Sequence, residues 1–492
     1  MLTSRAVRMR AHRLLALPLL AVAVACPATD HPALDPAPPH DVAIDPAPAA
    51  PVDWHGRSIY FVVTDRFANG DPSNDGANGY PSNPSDPRTW HGGDFQGLID
   101  RLDYIAGMGF TGLWITPVIE QHDARAYHGY YGWDWSRVDA HLGDVAKLQE
   151  LIANAHARGI AVMIDTVANH TGPYNYASPS FPDLAMYHHN GRISDFNDHT
   201  QLENNDLSGL NDLAQEQPAV RDKLIDHARW LAGLGAEGLR IDTVKHVPQA
   251  FWRDYVAATE VFTLGEVLSG SVDEVAPYSH VLDATLDYPL YFALRDVFAN
   301  GGSARQLGAV LANDGAYVDP RLAGVFVDNH DQRRFLCDGD DLELRLALAF
   351  ALTTRGIPIV YYGTEQGFAS CTDNRADLFA AADPTSSMYR YIRQLHDLRA
   401  ATPALRNGVQ RECWQDDAAY AFEREDGASA AVVAFNLSTA ARTLQLQLHT
   451  APGTVLHDAL GNATATVGAG GKLAVMIPAR SVVILTNSTE TH

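Results

Sequence analysis

Four short stretches of the chain place acidic side chains directly after apolar runs, where a strand gives way to a loop. They are 165–170, 238–246, 264–267 and 326–331. Hydrolysis of a glycosidic bond requires carboxyl groups that converge on one sugar. The four stretches therefore predict a carbohydrate-cleaving site that is built by the ends of several strands.

Asp242, Glu266 and Asp331 are the candidates for the reacting carboxyl groups. Cleavage with retention needs a nucleophilic carboxylate on one side of the sugar and a carboxylic acid on the other, about 5–5.5 Å apart. Arg240 stands two residues before Asp242, so both side chains point to the same side of the strand, and a guanidinium there favours an ionised aspartate. We therefore expect Asp242 to be the nucleophile.

The other candidates have supporting roles in this chemistry. Glu266 ends the next strand among apolar neighbours, a setting that suits a general acid. Asp331 is placed at the end of the seventh strand, where we expect it to grip sugar hydroxyls and to favour the oxocarbenium-like transition state. His170 and His330 are expected to donate hydrogen bonds to the same sugar. A lone Asp at a strand end is usually a turn residue. The prediction therefore depends on the occurrence of all three acidic residues together.

Eight apolar runs alternate with helical patterns from residue 58 onward. The predicted strands are 58–65, 111–118, 159–167, 238–244, 262–267, 280–287, 324–331 and 357–363. Nearly continuous apolar content is typical of strands that are buried on both faces. Strands that alternate with amphipathic helices predict an α/β fold, here a (β/α)8 TIM barrel.

Breaks in this alternation mark the domains. The catalytic barrel is expected over 53–402. Residues 171–212, after the third strand, are rich in Asn, Asp, His, Ser and Pro and predict a small insertion subdomain over the catalytic face. Residues 403–492 predict a C-terminal antiparallel β-sandwich, because apolar and polar residues alternate between turns. Its predicted strands are 418–424, 430–436, 443–448 and 481–486.

The N-terminus predicts an export signal. Four arginines precede the apolar core Leu14–Val24, which is too short to remain in a bilayer as a span. Residues 1–26 are therefore expected to be a signal peptide, and the Pro/Ala/Asp-rich residues 27–52 a linker. Two interpretations stay open: processing after Ala25, or lipid attachment at Cys26. We expect a protein exported from a bacterium, which is secreted, periplasmic or lipid-anchored at the cell surface.

The charge balance excludes two classes of partner. The 492 residues include 36 Lys and Arg against 59 Asp and Glu, a formal net charge of −23. Nucleic acids and anionic lipid surfaces favour proteins of the opposite sign, so no nucleic-acid partner is expected and a membrane only through a lipid at Cys26. The hydrophobic content of 46% is typical of a folded protein, which we expect to be a monomer.

Three cysteines follow Cys26 in the chain. Cys337 lies just after the seventh predicted strand and Cys371 just after the eighth, so their loops should be neighbours in a barrel. Export permits a disulfide. We predict a Cys337–Cys371 disulfide with Cys413 unpaired; the alternative is three buried free thiols.

Taken together, the four stretches resemble the signature regions of α-amylases of glycoside hydrolase family 13, in order and spacing. Supporting motifs match at 109–117, 209–213 and 356–363, and the resemblance covers about residues 55–490. It implies endo-hydrolysis of α-1,4-glucosidic bonds in starch, glycogen and related glucans by a retaining double displacement. Asp242 would be the nucleophile, Glu266 the general acid/base and Asp331 the transition-state stabiliser.

The resemblance also implies a set of substrate-binding residues. They are His128, Tyr130, His170, Arg240, Lys245, His246, His330 and Arg375. Tyr130 is expected to stack on the sugar at the cleavage point. Lys245 and His246 are expected to line the leaving-group side, and Arg375 the non-reducing side.

Calcium is the cofactor that the resemblance implies. One ion would join the insertion to the barrel through the Asn169 side chain, Asp212 and the backbone carbonyl of His246. Oxygen ligands from separate loops suit Ca²⁺ and not zinc. No chloride site is expected, since Thr364, Glu365 and Gln366 stand where a basic residue would be needed.

A second cluster resembles a calcium loop of cyclodextrin glucanotransferases and some bacterial amylases. Its residues are Asn69, Asp71, Asn74, Asp75, Gly92 and Asp94. The alternative is a turn of Asn, Gly and Asp that binds nothing.

Other activities within the family stay open. A maltooligosaccharide-forming or cyclodextrin-degrading relative is the alternative, because loop lengths set the product. A cyclodextrin glucanotransferase is not expected, because such enzymes normally carry further C-terminal domains. A remote alternative is a non-catalytic glucan-binding surface lipoprotein. Loss of a catalytic carboxylate would support this alternative, but all three are present.

Overall fold

The computed structural model describes residues 52–488. The predicted signal peptide, Cys26 and all but the last residue of the predicted linker lie outside the described residues. The described residues form a barrel, which is followed along the chain by an antiparallel β-domain. Among residues 52–488, no helix is long and apolar enough to cross a membrane.

Eight parallel strands form the barrel. They are β1 (Ile59–Val62), β2 (Gly112–Ile115), β3 (Ala161–Thr166), β4 (Gly238–Ile241), β5 (Phe262–Gly265), β6 (Ala284–Thr285), β7 (Gly324–Phe326) and β8 (Ile357–Tyr361). Their order is β6-β5-β4-β3-β2-β1-β8-β7, and a parallel bridge between Leu286 and Gly324 joins the two ends. The predicted barrel is confirmed, and each strand lies within its predicted range.

The strands are shorter than predicted because the polar residues that follow them belong to loops. β7 is the clearest case, since it ends at Phe326. Asp331 was expected at the end of this strand, and that placement is wrong: Asp331 lies in the following loop. The predicted strand was too long because Val327 continues the apolar run and is buried, although it lies beyond the sheet.

Helices surround the barrel and follow its strands. Those described are α1 (Phe95–Gly107), α2 (Val145–His156), α3 (His199–Asn204), α4 (Pro218–Gly233), α5 (Gln249–Thr259), α6 (Val272–Val275), α7 (Tyr288–Phe298), α8 (Arg305–Leu311), α9 (Asp341–Thr353), α10 (Ser387–Ala401) and α11 (Pro403–Asn407). Aspartates begin several of them: Asp94 accepts from the backbone N–H of Gly97 at the start of α1, and Asp287 from that of Leu290 in α7. Such caps satisfy backbone donors that the helix itself leaves free.

The insertion between β3 and α4 leaves the barrel and returns to it as a short antiparallel ribbon. His170–Thr171 pairs with Asn211–Asp212, and α3 is the regular helix between them. The ribbon therefore brings Asn169, before the insertion, close to Asp212 at its end.

The C-terminal residues form two antiparallel sheets. The strands are β9 (Val409–Gln415), β10 (Ala419–Asp426), β11 (Ser429–Asn436), β12 (Arg442–Gln447), β13 (Val455–Asp458), β14 (Thr464–Thr466), β15 (Lys472–Ile477) and β16 (Ser481–Thr486). β12 pairs with β15, and the other six strands form one sheet. Leu444 and Val475 of the small sheet share a buried core with Val432 of the large one. The predicted β-sandwich is confirmed.

Cys337 and Cys371 form the predicted disulfide. It joins the loops that follow β7 and β8, as expected for neighbouring barrel strands. Cys413, in β9, has no disulfide partner among the described residues, also as predicted.

Candidate active site

Arg240 lies at the centre of the site. β3 and β4 pair with Asp165 opposite Arg240, so the two side chains meet. Arg240 Nη1 donates to both carboxylate oxygens of Asp165, each at 3.0 Å, and to Asp242 Oδ1 at 3.0 Å. Its Nη2 lies 2.9 Å from Glu266 Oε2. One buried guanidinium therefore holds three carboxylates, two of which are predicted reacting groups.

Thr243 also connects the two reacting groups. Its Oγ1 donates to Asp242 Oδ2 at 3.2 Å, and its backbone N–H donates to Glu266 Oε2 at 3.2 Å. Thr243 has a φ of 48°, which is rare for a β-branched residue and marks functional sites. Asp242 and Glu266 are each only 6% exposed, so the structure brings them together in a buried position.

The charge of this cluster is unbalanced, because three carboxylates share one guanidinium. Burial raises the pKa of Asp242 above its ordinary value; Arg240 opposes this, while Glu266 and Asp165 add to it. The pKa of Asp165 is raised to about 6, again by burial and against Arg240. The expectation that Arg240 simply keeps Asp242 ionised was therefore incomplete. A cluster of this kind retains a proton, which an acid/base pair needs.

The surroundings of Glu266 differ from the apolar setting that the sequence indicated. Tyr288 donates its hydroxyl to Glu266 Oε1 at 2.9 Å, while Arg240 and Thr243 lie at Oε2. Leu264 is buried, but it lies two residues earlier and does not replace these polar partners. Both oxygens of the carboxyl group thus have hydrogen-bond or ion-pair partners.

Asp331 is the most accessible of the three predicted reacting residues, with a side chain that is 41% exposed. Arg375 Nη2 donates to Asp331 Oδ1 at 3.1 Å, and Arg375 Nε donates to the His330 carbonyl at 2.8 Å. The Asp331 backbone N–H donates to Asn329 Oδ1 at 3.1 Å. In this structure Arg375 therefore orients Asp331.

Aromatic and imidazole rings lie beside this cluster. The Tyr130 hydroxyl donates to Asp165 Oδ2 at 2.6 Å, and its ring stacks on His330 with 5.2 Å between centroids and on His128 with 5.7 Å. His170 Nε2 lies 3.2 Å from the Tyr130 carbonyl. Burial lowers the pKa of His170 to about 4 and the pKa values of His128 and His330 well below their ordinary range. These rings are neutral at neutral pH and can hydrogen-bond a neutral sugar.

Lys245 and His246 lie in the loop after β4. Lys245 Nζ donates to the Leu268 carbonyl at 2.8 Å, close in sequence to Glu266. His246 Nδ1 lies 3.0 Å from the carbonyl of Leu202 in α3. His246 therefore contacts the insertion.

The three predicted ligands of the first calcium ion lie together. One terminal atom of the Asn169 amide is 2.8 Å from the His246 carbonyl oxygen and 3.2 Å from Asp212 Oδ1. If that atom is the amide oxygen, three oxygens face one another with no hydrogen between them, and a bound cation would remove their repulsion. If it is the amide nitrogen, it donates to both the His246 carbonyl and Asp212 Oδ1. Asp212 Oδ2 accepts from His188 Nδ1 at 2.7 Å if that nitrogen is protonated, which leaves Oδ1 to face Asn169.

The second predicted cluster is also brought together. Asp94 accepts from the backbone N–H groups of Gly70 and Asp71 at 3.1 and 2.8 Å. The side-chain oxygens of Asn69 and Asn74 are buried and have no donor within residues 52–488. Its remaining members are Asp75, which accepts from Asn69 Nδ2 at 2.8 Å, and Gly92, where a Cβ would lie 2.3 Å from Asp75 Oδ1. Orphaned amide oxygens in a cluster of acids fit a cation.

Comparison with known proteins identifies the family. The family model for the alpha amylase catalytic domain matches residues 61–424. The chain belongs to the alpha-amylase family. The Beta/alpha-amylase of Paenibacillus polymyxa is 44% identical over 456 residues, which cover 88% of this chain and 38% of that protein. The cyclomaltodextrin glucanotransferase of Niallia circulans is 34% identical and is covered to 64%, with 84% of this chain matched. The chain thus spans less than two thirds of either relative.

Solved structures of alpha-amylase family proteins match over nearly their whole length. An Anoxybacillus α-amylase has a TM-score of 0.82 at 34% identity, with 90% of this chain and 100% of that chain covered. CldA, described as a cyclomaltodextrin glucanotransferase with a three-domain ABC distribution, has a TM-score of 0.80 at 32% identity, with 88% and 99% covered. Glucanotransferase activity was not expected because such enzymes normally carry further C-terminal domains. CldA has three domains, so the number of domains does not separate glucanotransferases from α-amylases.

Asp165, Asn329 and Tyr288 belong to this site, as Thr243 does, although none of them was predicted as a site residue. Asp165 stood inside the first acidic stretch, and its register opposite Arg240 follows from pairing adjacent strands, so it could have been found. Asn329 likewise stood in the fourth stretch. Tyr288 begins α7 and has no motif around it, so only the folded structure shows that its hydroxyl reaches Glu266.

Proposed function

We propose that this protein hydrolyses internal α-1,4-glucosidic bonds of starch, glycogen and related glucans, with retention of configuration. The observation that carries the proposal is the buried Arg240 guanidinium shared by Asp242 and Glu266 at the carboxyl ends of β4 and β5. Two adjacent carboxyl groups in a cleft are what a double displacement requires. The amylase and glucanotransferase names of the relatives support the substrate class.

In the first step of the proposed reaction, an Asp242 carboxylate oxygen attacks the anomeric carbon. The bond from that carbon to the glycosidic oxygen breaks, and Glu266 gives its proton to the departing oxygen. Arg240 holds both groups in place, since one nitrogen contacts Asp242 and the other Glu266. The products of this step are a glycosyl-enzyme ester and a glucan fragment with a new non-reducing end.

In the second step, water attacks the same carbon. Glu266, now a carboxylate, takes a proton from the water, and the bond to Asp242 breaks. Asp331 is proposed to bind the sugar hydroxyls and to favour the cationic transition state, because its side chain is 41% exposed beside the cluster while Arg375 fixes one oxygen. Tyr130, whose ring packs against two neutral imidazoles, is proposed as the platform for the sugar ring.

The remaining predicted residues have proposed roles around this centre. His128, His170 and His330 would hydrogen-bond the bound sugar, and Lys245 and His246 would line the side of the leaving group. For Lys245 the support is its contact with the Leu268 carbonyl, two residues beyond the proposed acid.

We further propose that Ca²⁺ is a structural cofactor at two places. Asn169, Asp212 and the His246 carbonyl would hold one ion, which would tie the insertion to the barrel. The cluster of Asn69, Asn74 and Asp94 with its neighbours would hold a second, because its two amide oxygens lack donors. Within residues 52–488 no three His, Cys, Asp or Glu side chains form a metal group, so both sites depend on amide or carbonyl oxygens, which Ca²⁺ accepts.

Export and a monomeric state are proposals that rest on the sequence. The arginine-rich start and short apolar core support secretion, periplasmic location or a lipid at Cys26. Size-exclusion chromatography with light scattering tests the monomer, and mass spectrometry of the N-terminus of protein made in a bacterial host distinguishes processing after Ala25 from a lipidated Cys26.

A time course with amylose tests the proposed activity. The wild-type protein should shorten long chains quickly and release mixed maltooligosaccharides, while Asp242→Asn should lose essentially all turnover. Asp103→Asn is the matched control, since this side chain is 84% exposed in a surface pair with Arg158. Binding of amylose without cleavage by the wild-type protein would leave only the non-catalytic alternative.

The same time course separates the activities within the family. Cyclic products would indicate the glucanotransferase activity that the match to the three-domain CldA structure leaves open. A single short product with persisting long chains would indicate a maltooligosaccharide-forming enzyme. Cleavage of cyclodextrins in preference to amylose would indicate a cyclodextrin-degrading enzyme.

A further inference from the structure

A chain of hydrogen bonds reaches Glu266 from the loop of Asp331. Asn329 Oδ1 accepts the backbone N–H groups of Asp331 and Gln332, at 3.1 and 2.8 Å. Asn329 Nδ2 then donates to the Tyr288 hydroxyl oxygen at 2.9 Å. The Tyr288 hydroxyl in turn lies 2.9 Å from Glu266 Oε1.

These contacts fix the direction of every proton in the chain. The amide oxygen of Asn329 is occupied by two backbone donors, so its nitrogen must be the end that faces Tyr288. The hydroxyl oxygen of Tyr288 accepts that N–H bond. Its own hydrogen is therefore free to be donated to Glu266 Oε1.

Tyr288 is held rigidly for this contact. It is the first residue of α7, it is fully buried, and its ring packs edge-on against Phe326 with 5.1 Å between centroids. The preceding Asp287 caps the helix and pairs with Arg355. The hydroxyl is thus fixed before any substrate arrives, as a preorganised donor must be.

The other oxygen of Glu266 accepts the Thr243 backbone N–H at 3.2 Å and lies 2.9 Å from Arg240 Nη2. Contacts from β4, from the loop after it and from α7 therefore fix the orientation of the Glu266 carboxyl group. A group that gives a proton in the first step and takes one in the second must keep the same position in both.

We propose that Tyr288 is a positioning residue that fixes the orientation of the Glu266 carboxyl group for proton transfer in both steps. The proposal rests on the proposed function of Glu266 as the general acid/base. It adds a residue outside the acidic stretches, and it links the loop that carries Asp331 to the group that moves the proton.

Tyr288→Phe tests the proposal, because it removes the hydroxyl and keeps the ring against Phe326. With maltoheptaose, kcat/KM should fall by about tenfold, the size expected when one hydrogen bond that orients a reacting group is lost. The loss should appear only where Glu266 must give its proton to the departing oxygen. Fluoride leaves α-maltosyl fluoride without a proton, so kcat/KM for this substrate should change by less than about twofold.

Tyr291→Phe is the matched control. Tyr291 lies on the same helix, and its hydroxyl interacts with Arg295 instead of Glu266, so kcat/KM for both substrates should stay unchanged. An unchanged kcat/KM for maltoheptaose in Tyr288→Phe, or an equal loss with both substrates, would overturn the proposal and leave the hydroxyl a packing role. A wild-type protein that cleaves neither substrate would overturn the proposed function itself.

Discussion

At the scale of single residues, Asp165 was not predicted as part of the site, yet hydrogen bonds hold both of its carboxylate oxygens. It accepts the Tyr130 hydroxyl, the Trp114 indole N–H at 3.2 Å and Arg240 Nη1 on both oxygens. Its carboxylate therefore orients the guanidinium that holds Asp242 and Glu266. Asp165 touches neither reacting group, so we regard it as a positioning residue.

Asp165→Asn should lower kcat on maltoheptaose by at least about tenfold with little change in KM. The amide presents an N–H group to Arg240, and misplacing a preorganised group costs transition-state stabilisation more than substrate binding. Steady-state kinetics beside the surface variant Asp103→Asn measures the effect. If kcat were unchanged, Arg240 would be positioned by the barrel alone.

The residues that could be predicted are those whose place follows from a strand. Asp242 and Glu266 follow consecutive strands, so the order of the chain alone made them neighbours. Tyr288 could not be predicted, because its contact with Glu266 depends on where α7 begins relative to β5. Asp331 was assigned to the site but to the wrong element, since the apolar run continues into the buried Val327, which lies beyond the end of β7.

At the scale of elements, two loops on the catalytic side are tied together by Cys337–Cys371. The loop after β7 carries Asp331 and the loop after β8 carries Arg375, which donates to it. The disulfide therefore restrains two segments whose side chains meet at the site.

Replacing both cysteines by serine should lower the free energy of unfolding by about 3 kcal/mol, the usual size for such a cross-link. It should also raise KM for maltoheptaose a few-fold, because Arg375 and Asp331 lose their restraint. Cys413→Ser is the control and should change neither quantity, since this cysteine is unpaired. Identical melting temperatures and kinetics for all three proteins would show that the loops need no cross-link.

The insertion ribbon leads to a second prediction at this scale. If Ca²⁺ binds Asn169 and Asp212, chelation by EDTA should lower the melting temperature of the wild-type protein by about 5 °C or more, and Ca²⁺ should restore it. Asp212→Asn should lose most of this response, and Asp71→Asn should show how much belongs to the other cluster. A full calcium response in both variants would exclude both proposed sites.

At the scale of the whole molecule, buried neutral histidines couple stability to pH. Burial lowers the pKa of His396, in α10, to about 3, whereas in the unfolded chain it is about 6.5. The unfolded state therefore binds this proton first, so the stability contribution is complete above about pH 6.5 and is lost as pH falls toward 3.

His396→Leu tests this coupling. Between pH 7 and pH 5 the wild-type protein should lose about 2 kcal/mol of unfolding free energy through this residue, and the variant should not. Guanidinium melts of both proteins at the two pH values give the difference. An equal loss in both proteins would mean that His396 is protonated as readily in the folded state.

Apolar periodicity predicted the strands of the barrel better than those of the C-terminal domain. The barrel strands are buried on both faces, so each formed a continuous apolar run that could be read. In the C-terminal domain, β14 is three residues long and mostly exposed, and β9 is also largely exposed. Neither carries enough apolar alternation to be distinguished from a loop, and both were missed. β13 and β15 were missed as well, although β15 alternates exposed and buried residues.

The anomeric form of the first product tests the central claim most directly. Proton NMR during the first minutes of maltoheptaose hydrolysis shows whether the new reducing ends are α or β before they equilibrate. We expect the α form, because Asp242 and Glu266 share one guanidinium and are proposed to act by double displacement. Release of the β form would contradict it, since direct attack by water inverts the centre and leaves Asp242 no role as a nucleophile.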